Sequence, residues 1–235
     1  MTTVSAHRSP VIVGLGMTEL GKVYGRTASQ FAADAVRAAA QDAGLAISDI
    51  DGLLMSGRGS NGVDLDLQRD LNLKDLGLLS VMQSYGSTAG AMVQVASMAV
   101  ESGMVDVVAC VWADNPLHVG GSAGDYGSGA RPSSGWSALL GASGVGGATP
   151  MYAMAARRHM ERYGTTQEQF GAIAVAQRQW ASMNPYAQMR QPITIDDYLD
   201  SRWISDPFRL LDCCLVSNGG IAVIVTSAAR AQSLK

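Results

Sequence analysis

The chain has 235 residues, with 17 Lys and Arg against 20 Asp and Glu, a formal net charge of -3 and 47% apolar residues. That apolar share is ample for a core in one large domain or two small ones. The scattered Lys and Arg form neither a basic stripe for nucleic acid nor a polybasic arm for an anionic membrane, so neither is expected as a partner.

The apolar run at the N-terminus is too short for a signal peptide, and the segment from Ala89 to Ala113 is broken by Gln94, Glu101 and Asp106. A cytoplasmic protein is expected. Of the three cysteines, Cys110 falls in a predicted buried strand while Cys213 and Cys214 are adjacent, a pattern that suggests no disulfide framework and no metal site. With 27 Gly and only 6% aromatic residues, the fold should rely on tight turns and close backbone packing.

Pro10 to Leu15 reads as a strand that leads into Gly14-Leu15-Gly16. The sequence GLGMTE has Glu19 where a dinucleotide fingerprint would carry its third Gly, and a loop follows instead of a helix, so nucleotide binding is not expected there. Thr27 or Ser29 caps a predicted helix that runs to Ala43, with Phe31, Ala35, Ala38 and Ala39 on its apolar face and Gly44 as its stop. Leu53 to Ser56 is then a buried strand, Gly57 to Gly62 a glycine-rich loop, Asp64 to Leu73 a short helix, and Leu78 to Gln83 another strand.

The segment Gln83 to Asp114 predicts a sharp turn, a helix from Thr88 to Ser102 and a buried strand from Val105 to Trp112. Ala or Gly at positions 89, 90, 91, 96 and 99 would let another backbone approach that helix closely. Its N-terminus would aim the amides of Gly86, Ser87 and Thr88 at developing negative charge, as an oxyanion or thioester site requires. Ser87 could be a nucleophile only with a nearby base, and otherwise reads as a capping hydroxyl. Tyr85 reads as a packing aromatic and as a second, weaker catalytic candidate.

Asn115 to Pro150 is rich in Gly and Ser and reads as a long excursion loop. Helices follow from Met151 to Tyr163 and from Thr165 or Thr166 to Met183, the second broken by Asn184-Pro185, and a short acidic helix spans Ile195 to Leu199. SRWISDPFRLLDCC reads as an extended crossing segment, and Gly219 to Thr226 as a buried strand before a helix start at Ser227. A βα unit cut at its helix suggests a fragment or one partner of a split protein.

The order of these elements, the helical insertion and the segment SRWISDPFRLLDCCLVSNGGIAVIV resemble the N-terminal half of the thiolase superfamily, in its lipid-transfer-protein or sterol-carrier branch, often labelled acetyl-CoA acetyltransferase. The family's closing motif, roughly Cys-Cys-Pro-x-Ser-Asp-Gly-Ala-Ala-Ala, is matched by Cys213, Cys214, Ser217, Gly219 and Ala222. Departures are Leu215 for Pro, Asn218 for Asp, Gly220 for Ala and Ile221 for Ala. The resemblance implies an α/β fold, a mixed five-stranded sheet with a buried helix and flanking helices, in which 1–114 and 205–235 form the core and 115–204 a loop-domain insertion. The C-terminal half of such proteins is absent from this sequence.

In thiolases the nucleophilic Cys begins the buried helix, and that position falls here on Gly86, or on Ser87 if the register shifts by one. The resemblance therefore implies an enzyme on acyl-CoA thioesters that cleaves carbon–carbon bonds by retro-aldol chemistry, or a subunit of one, since that reaction dispenses with a thiolate. Acyl transfer and a non-catalytic structural subunit are the alternatives. Cys214 and Met151 would lie near coenzyme A, which is a substrate part and not a permanent cofactor. Implied partners are acyl-CoA, further copies of the chain in a dimer or a polypeptide carrying the C-terminal thiolase half, and a small OB-fold protein.

Overall fold

The computed structural model describes residues 8–56, 65–121, 134–145 and 147–234. In chain order the elements are β1 (Pro10–Met17), α1 (Ala28–Ala43), β2 (Gly52–Ser56), α2 (Leu65–Asp70), β3 (Leu78–Met82), α3 (Thr88–Ser102) and β4 (Val107–Asp114). They continue with α4 (Trp136–Ala142), α5 (Ala148–Tyr163), α6 (Gln167–Met183), α7 (Ile195–Asp200), β5 (Trp203–Ser205), β6 (Phe208–Arg209), β7 (Gly219–Ser227) and α8 (Ala228–Ala231). They form two compact units, one of Met1–Gly121 with Ser217–Lys235 and the other of Ser122–Val216. The glycine-rich loop expected at 57–62 and the central part of the expected excursion loop lie outside the described residues.

The first unit is built on a mixed five-stranded sheet in the order β1-β7-β4-β2-β3. The β4, β2 and β3 strands run parallel, whereas β7 is antiparallel to both β1 and β4. Near-continuous burial of β2 and β4 follows from helices on both faces of the sheet.

Helix α1 starts on a reciprocal cap, in which the Gln30 N–H donates to Thr27 Oγ1 at 3.2 Å and the Thr27 N–H to Gln30 Oε1 at 3.0 Å. It stops at Gly44 in the left-handed conformation. Its buried face packs extremely close to the sheet. A Cβ at Gly14 would sit 2.2 Å from the Ala39 carbonyl oxygen, one at Gly16 2.0 Å from that of Ala35, and one at Gly220 2.8 Å from that of Phe31. The Gly-x-Gly pair is thus inside β1, which runs on to Met17, and its glycines admit a helix backbone.

Helix α3 packs on the opposite face, with Met92, Ala96, Ala99 and Val100 against Leu54, Val108, Cys110 and Val225. Gly103 ends it in the left-handed conformation, and the Arg8 guanidinium donates to the Val100 carbonyl at 2.9 Å, favourable charge at a helix C-terminus. The described residues cover only part of this face. Strand register sets Ile12 opposite Val225, Leu15 opposite Val223, and Ile221 between Met17 and Trp112, all on the α3 side, and Ile12, Leu15, Trp112 and Ile221 are exposed.

The second unit is helical. Helix α4 and the first turn of α5 fall within the stretch expected to be loop, because WSALLGA is a short apolar run hidden by glycine-rich flanks. Helix α6 begins where the Thr166 N–H donates to Gln169 Oε1 at 2.9 Å and ends at Asn184, ahead of Pro185. The segment expected to be extended is instead a small hairpin, β5 against β6. Arg209 closes it, since its guanidinium stacks 3.9 Å from the Trp203 ring centroid and donates to the Ser201 carbonyl at 2.8 Å. Fully buried Tyr198 donates to Asp212 at 2.9 Å, and Gly171 lies so close that a Cβ there would be 2.7 Å from the tyrosine ring.

Candidate functional site

The parallel strands β2, β3 and β4 end at one edge, and there the chain passes from β3 through a 3₁₀ turn, Tyr85–Ser87, into α3. Such edges are where open α/β sheets bind ligands. Tyr85 holds a φ of 50°, a left-handed conformation that costs a bulky residue roughly 1–2 kcal/mol. Buried Thr88 fixes it. Its Oγ1 accepts from the Ser84 N–H at 2.9 Å and donates to the Tyr85 carbonyl at 2.8 Å.

Ser87 does not cap α3. Its hydroxyl turns back and donates to the Ser84 carbonyl at 2.7 Å, and no described histidine is hydrogen-bonded to it. His159 instead meets Thr165 Oγ1 at 2.9 Å, His118 lies against Gly121, and His7 is outside the described residues. Among the amides, those of Ser87 and Thr88 close the turn onto the Ser84 and Tyr85 carbonyls. The Gly86 N–H has no hydrogen-bond partner among the described residues.

The thiolase nucleophile position was expected at Gly86, or at Ser87 with a register shift of one, and nothing within 4 Å would meet a Cβ at Gly86. Its backbone is not left-handed, so neither conformation nor packing requires glycine. The same open space surrounds Gly90, one turn on. Tyr85 is 72% exposed. Sequence spacing could locate the turn but not say which way its side chains face.

Burial pushes the Cys110 thiol up to about 12, which keeps it protonated and unreactive near neutrality. Cys213 is half-buried and its thiol is raised by burial first and by Asp212 second, whereas Cys214 is exposed. In the second unit Met151 is exposed, and a cleft of about 370 Å³ is lined by its neighbour Pro150 and by Met154, Arg157, Arg158, Glu161 and Asp206 but not by Met151 itself. Arg157 is ion-paired with Asp206 there. No group of three or more His, Cys, Asp or Glu side chains among the described residues could hold a metal ion. No described helix is long and apolar enough to cross a membrane.

The last motif of the chain explains two of its own departures. Buried Asn218 accepts from the Leu117 N–H at 2.7 Å and donates through Nδ2 to the Val23 and Leu117 carbonyls, both at 2.8 Å. A carboxylate has no proton for those carbonyls. Gly220 replaces Ala where the Phe31 carbonyl leaves no room.

This arrangement of a mixed five-stranded sheet, an excursion of helices and a helix start at the strand ends is the thiolase-like α/β fold. No protein-family profile matches the chain. It is 40% identical over 228 residues to a "Steroid side-chain-cleaving aldolase" from Thermomonospora curvata, covering 95% of this chain and 58% of that protein. It is 39% identical to a "17-hydroxy-3-oxo-4-pregnene-20-carboxyl-CoA lyase" from Mycobacterium tuberculosis, covering 95% of this chain and 59% of that protein. A solved structure described as "Ltp2-ChsH2(DUF35) aldolase" superposes with a TM-score of 0.83 at 37% identity, covering 98% of this chain and 59% of that one. The chain belongs to the thiolase superfamily, on the branch of its lipid-transfer-protein and sterol-carrier-protein members. It spans under two thirds of the length of these relatives.

Proposed function

We propose that this chain is the acyl-CoA-handling part of a thiolase-like lyase that cleaves a 3-hydroxyacyl-CoA by retro-aldol chemistry, without a covalent acyl-enzyme. The observation that carries this reading is Gly86. A cysteine would fit its position without a clash, yet the chain has no thiol there, and the neighbouring Ser87 hydroxyl is bonded to backbone with no base hydrogen-bonded to it among the described residues. Acyl transfer lacks its nucleophile.

Retro-aldol cleavage needs less. A base takes the β-hydroxyl proton, the Cα–Cβ bond breaks as the carbonyl forms, and the electron pair passes to the thioester as an enolate that is then protonated at Cα. The Gly86 amide and the adjoining N-terminus of α3 are this chain's means of stabilising the enolate oxygen. The proton transfers belong to residues outside this sequence. The relatives named as an aldolase and as a carboxyl-CoA lyase support this reaction class, with steroid side chains the substrate suggested by their names.

In the second unit, Arg157 and Arg158 beside Met154 and Pro150 suit an anionic, partly apolar ligand such as coenzyme A, and exposed Met151 and Cys214 are its proposed neighbours. The uncovered apolar patch at Ile12, Leu15, Trp112 and Ile221 suits a polypeptide carrying the C-terminal thiolase half. Edge strand β3, with Leu79 and Val81 exposed and no charge, suits pairing with a second copy. A DUF35 protein is a third proposed partner, after the assembly named for the similar structure.

The test is cleavage of 3-hydroxyacyl-CoA thioesters by the chain assembled with its remaining half and partner. Release of a ketone or aldehyde with a shortened acyl-CoA, and no acyl adduct by intact mass, is the expected result. Thiolysis of 3-oxoacyl-CoA without any retro-aldol release would overturn it in favour of acyl transfer. No turnover of either would favour a structural subunit.

A further inference from the structure

We infer that Ser56 is a further catalytic residue, whose hydroxyl donates a second hydrogen bond, beside the Gly86 amide, to the oxygen of the bound thioester. This rests on the reading of the Gly86 turn as the place where the thioester is bound. Ser56 is the last residue of β2 and only 4% exposed, and its Oγ has no hydrogen-bond partner among the described residues. Arg230 Nε is the one other buried side-chain atom among them in that state, and its guanidinium already pairs with Asp49 at 3.3 Å. A buried hydroxyl without a partner weakens a fold, and alanine would fill the position without that penalty. The hydroxyl is left for a partner that arrives from outside.

Strand geometry directs it at the start of α3. Side chains alternate along β2, and Leu54, two residues earlier, lies in the cluster beneath α3, so Ser56 faces the same side. Its neighbours are Met82 on β3, which packs against that cluster, and, one step beyond the Met55–Val111 pair, Trp112 on β4. Helix α3 starts at the strand ends and runs back along the sheet, with Met92 in one cluster with Leu54. One turn before Met92, buried Thr88 is about 6 Å nearer the strand ends, and Ser56 is displaced from Leu54 by about the same distance in the same direction. The hydroxyl therefore lies beneath the first turn of α3, where the Gly86 amide is also unpartnered among the described residues. Serine's staggered rotamers let it swing to an oxygen bound there without moving the strand.

Two donors on separate elements thus face one helix N-terminus, whose dipole favours negative charge. Retro-aldol cleavage moves an electron pair onto the thioester oxygen, so both hydrogen bonds strengthen as the enolate forms, and Ser56 keeps its proton throughout.

The experiment compares Ser56→Ala and Ser56→Cys with wild type in the assembled full-length enzyme. It reads kcat and KM for a 3-hydroxyacyl-CoA, the thermal midpoint, and the infrared stretch of an isotope-labelled thioester carbonyl in bound acyl-CoA. Ser56→Ala is expected to lower kcat by about tenfold or more with KM within about twofold, while the midpoint holds or rises because an unpartnered group is gone. Ser56→Cys keeps the volume but donates weakly, so its kcat falls as well. The carbonyl stretch lies at lower frequency in wild type than in Ser56→Ala.

A kcat within about twofold of wild type in Ser56→Ala would overturn the inference. So would a lowered midpoint in Ser56→Ala with full activity in Ser56→Cys, which would make Ser56 a packing residue. If the wild type performs thiolysis and not retro-aldol cleavage, the reaction class is wrong while the same comparison of kcat, made on thiolysis, still decides the role of Ser56. If the wild type turns over neither substrate, the carbonyl stretch decides it, and equal frequencies in wild type and Ser56→Ala overturn it. A wild type that binds no acyl-CoA overturns it together with the reading of the turn.

Discussion

The two faces of the five-stranded sheet use glycine in opposite ways. Beneath α1, Gly14, Gly16 and Gly220 occupy positions where a single added carbon would fall 2.0 to 2.8 Å from a backbone carbonyl oxygen. At the start of α3, Gly86 and Gly90 have nothing within 4 Å of an added carbon. The first set is explained entirely by the chain's own packing. The second is not, and a small residue that its own fold does not demand directs attention to a ligand or a partner.

Substitutions can break that comparison. Gly16→Ala should be the most damaging, at about 3 kcal/mol or more, since the Ala35 carbonyl is backbone and α1 must lift from the sheet. Chemical denaturation of the purified protein would show it as a fall in midpoint or as insoluble expression. Asn218→Asp follows at about 2 kcal/mol, because a carboxylate would face the Val23 and Leu117 carbonyls with no proton to donate. The same denaturation series, with Asn218→Ser as a smaller uncharged comparison, checks the sign.

Cys110 gives a pH-dependent test on the α3 side. Its thiol titrates at about 12 in the folded protein against 9.0 as a free side chain, so the folded form holds its proton longer. Its contribution to stability is full below pH 9 and is lost as pH rises from 9 toward 12. Cys110→Ala should flatten that alkaline decline, and a thiol reagent at neutral pH should label Cys214 while sparing Cys110. The smallest effect belongs to Gly86→Ala, expected to change stability by no more than about 0.5 kcal/mol. A loss of several times that size would mean that Gly86 is a packing residue like Gly16, and the contrast between the faces would collapse.

Much of this was legible in the sequence, for identifiable reasons. Helix α1 followed from Thr27, the spacing of Phe31 and its alanines, and Gly44, all of which act through local geometry. The helix start at Thr88 and the stop at Gly103 were equally local. What escaped depended on contacts distant along the chain. The Gly14-Leu15-Gly16 run reads as a strand end, and only the approach of Ala35 and Ala39 shows why it lies inside β1. The β5–β6 hairpin depends on Arg209 reaching Trp203 and Ser201, which no periodicity reveals. At the site, residues 83–88 were placed correctly as a turn before a helix, but the direction of the Ser87 hydroxyl and the exposure of Tyr85 are three-dimensional facts.

The position of β7 has a consequence for how the chain is made. It pairs Pro10 with Ser227 on one side and Val107 with Thr226 on the other, so β1 has no partner strand until the end of the sequence is available. During synthesis the segment up to Gly121 would leave the ribosome with the edges of β1 and β4 unpaired, and nearly a hundred residues follow before β7 emerges. Strand pairings of such long sequence separation form slowly and expose apolar edges while they wait. The nascent first unit should therefore be a chaperone client, and a chain truncated before Gly219 should aggregate rather than fold.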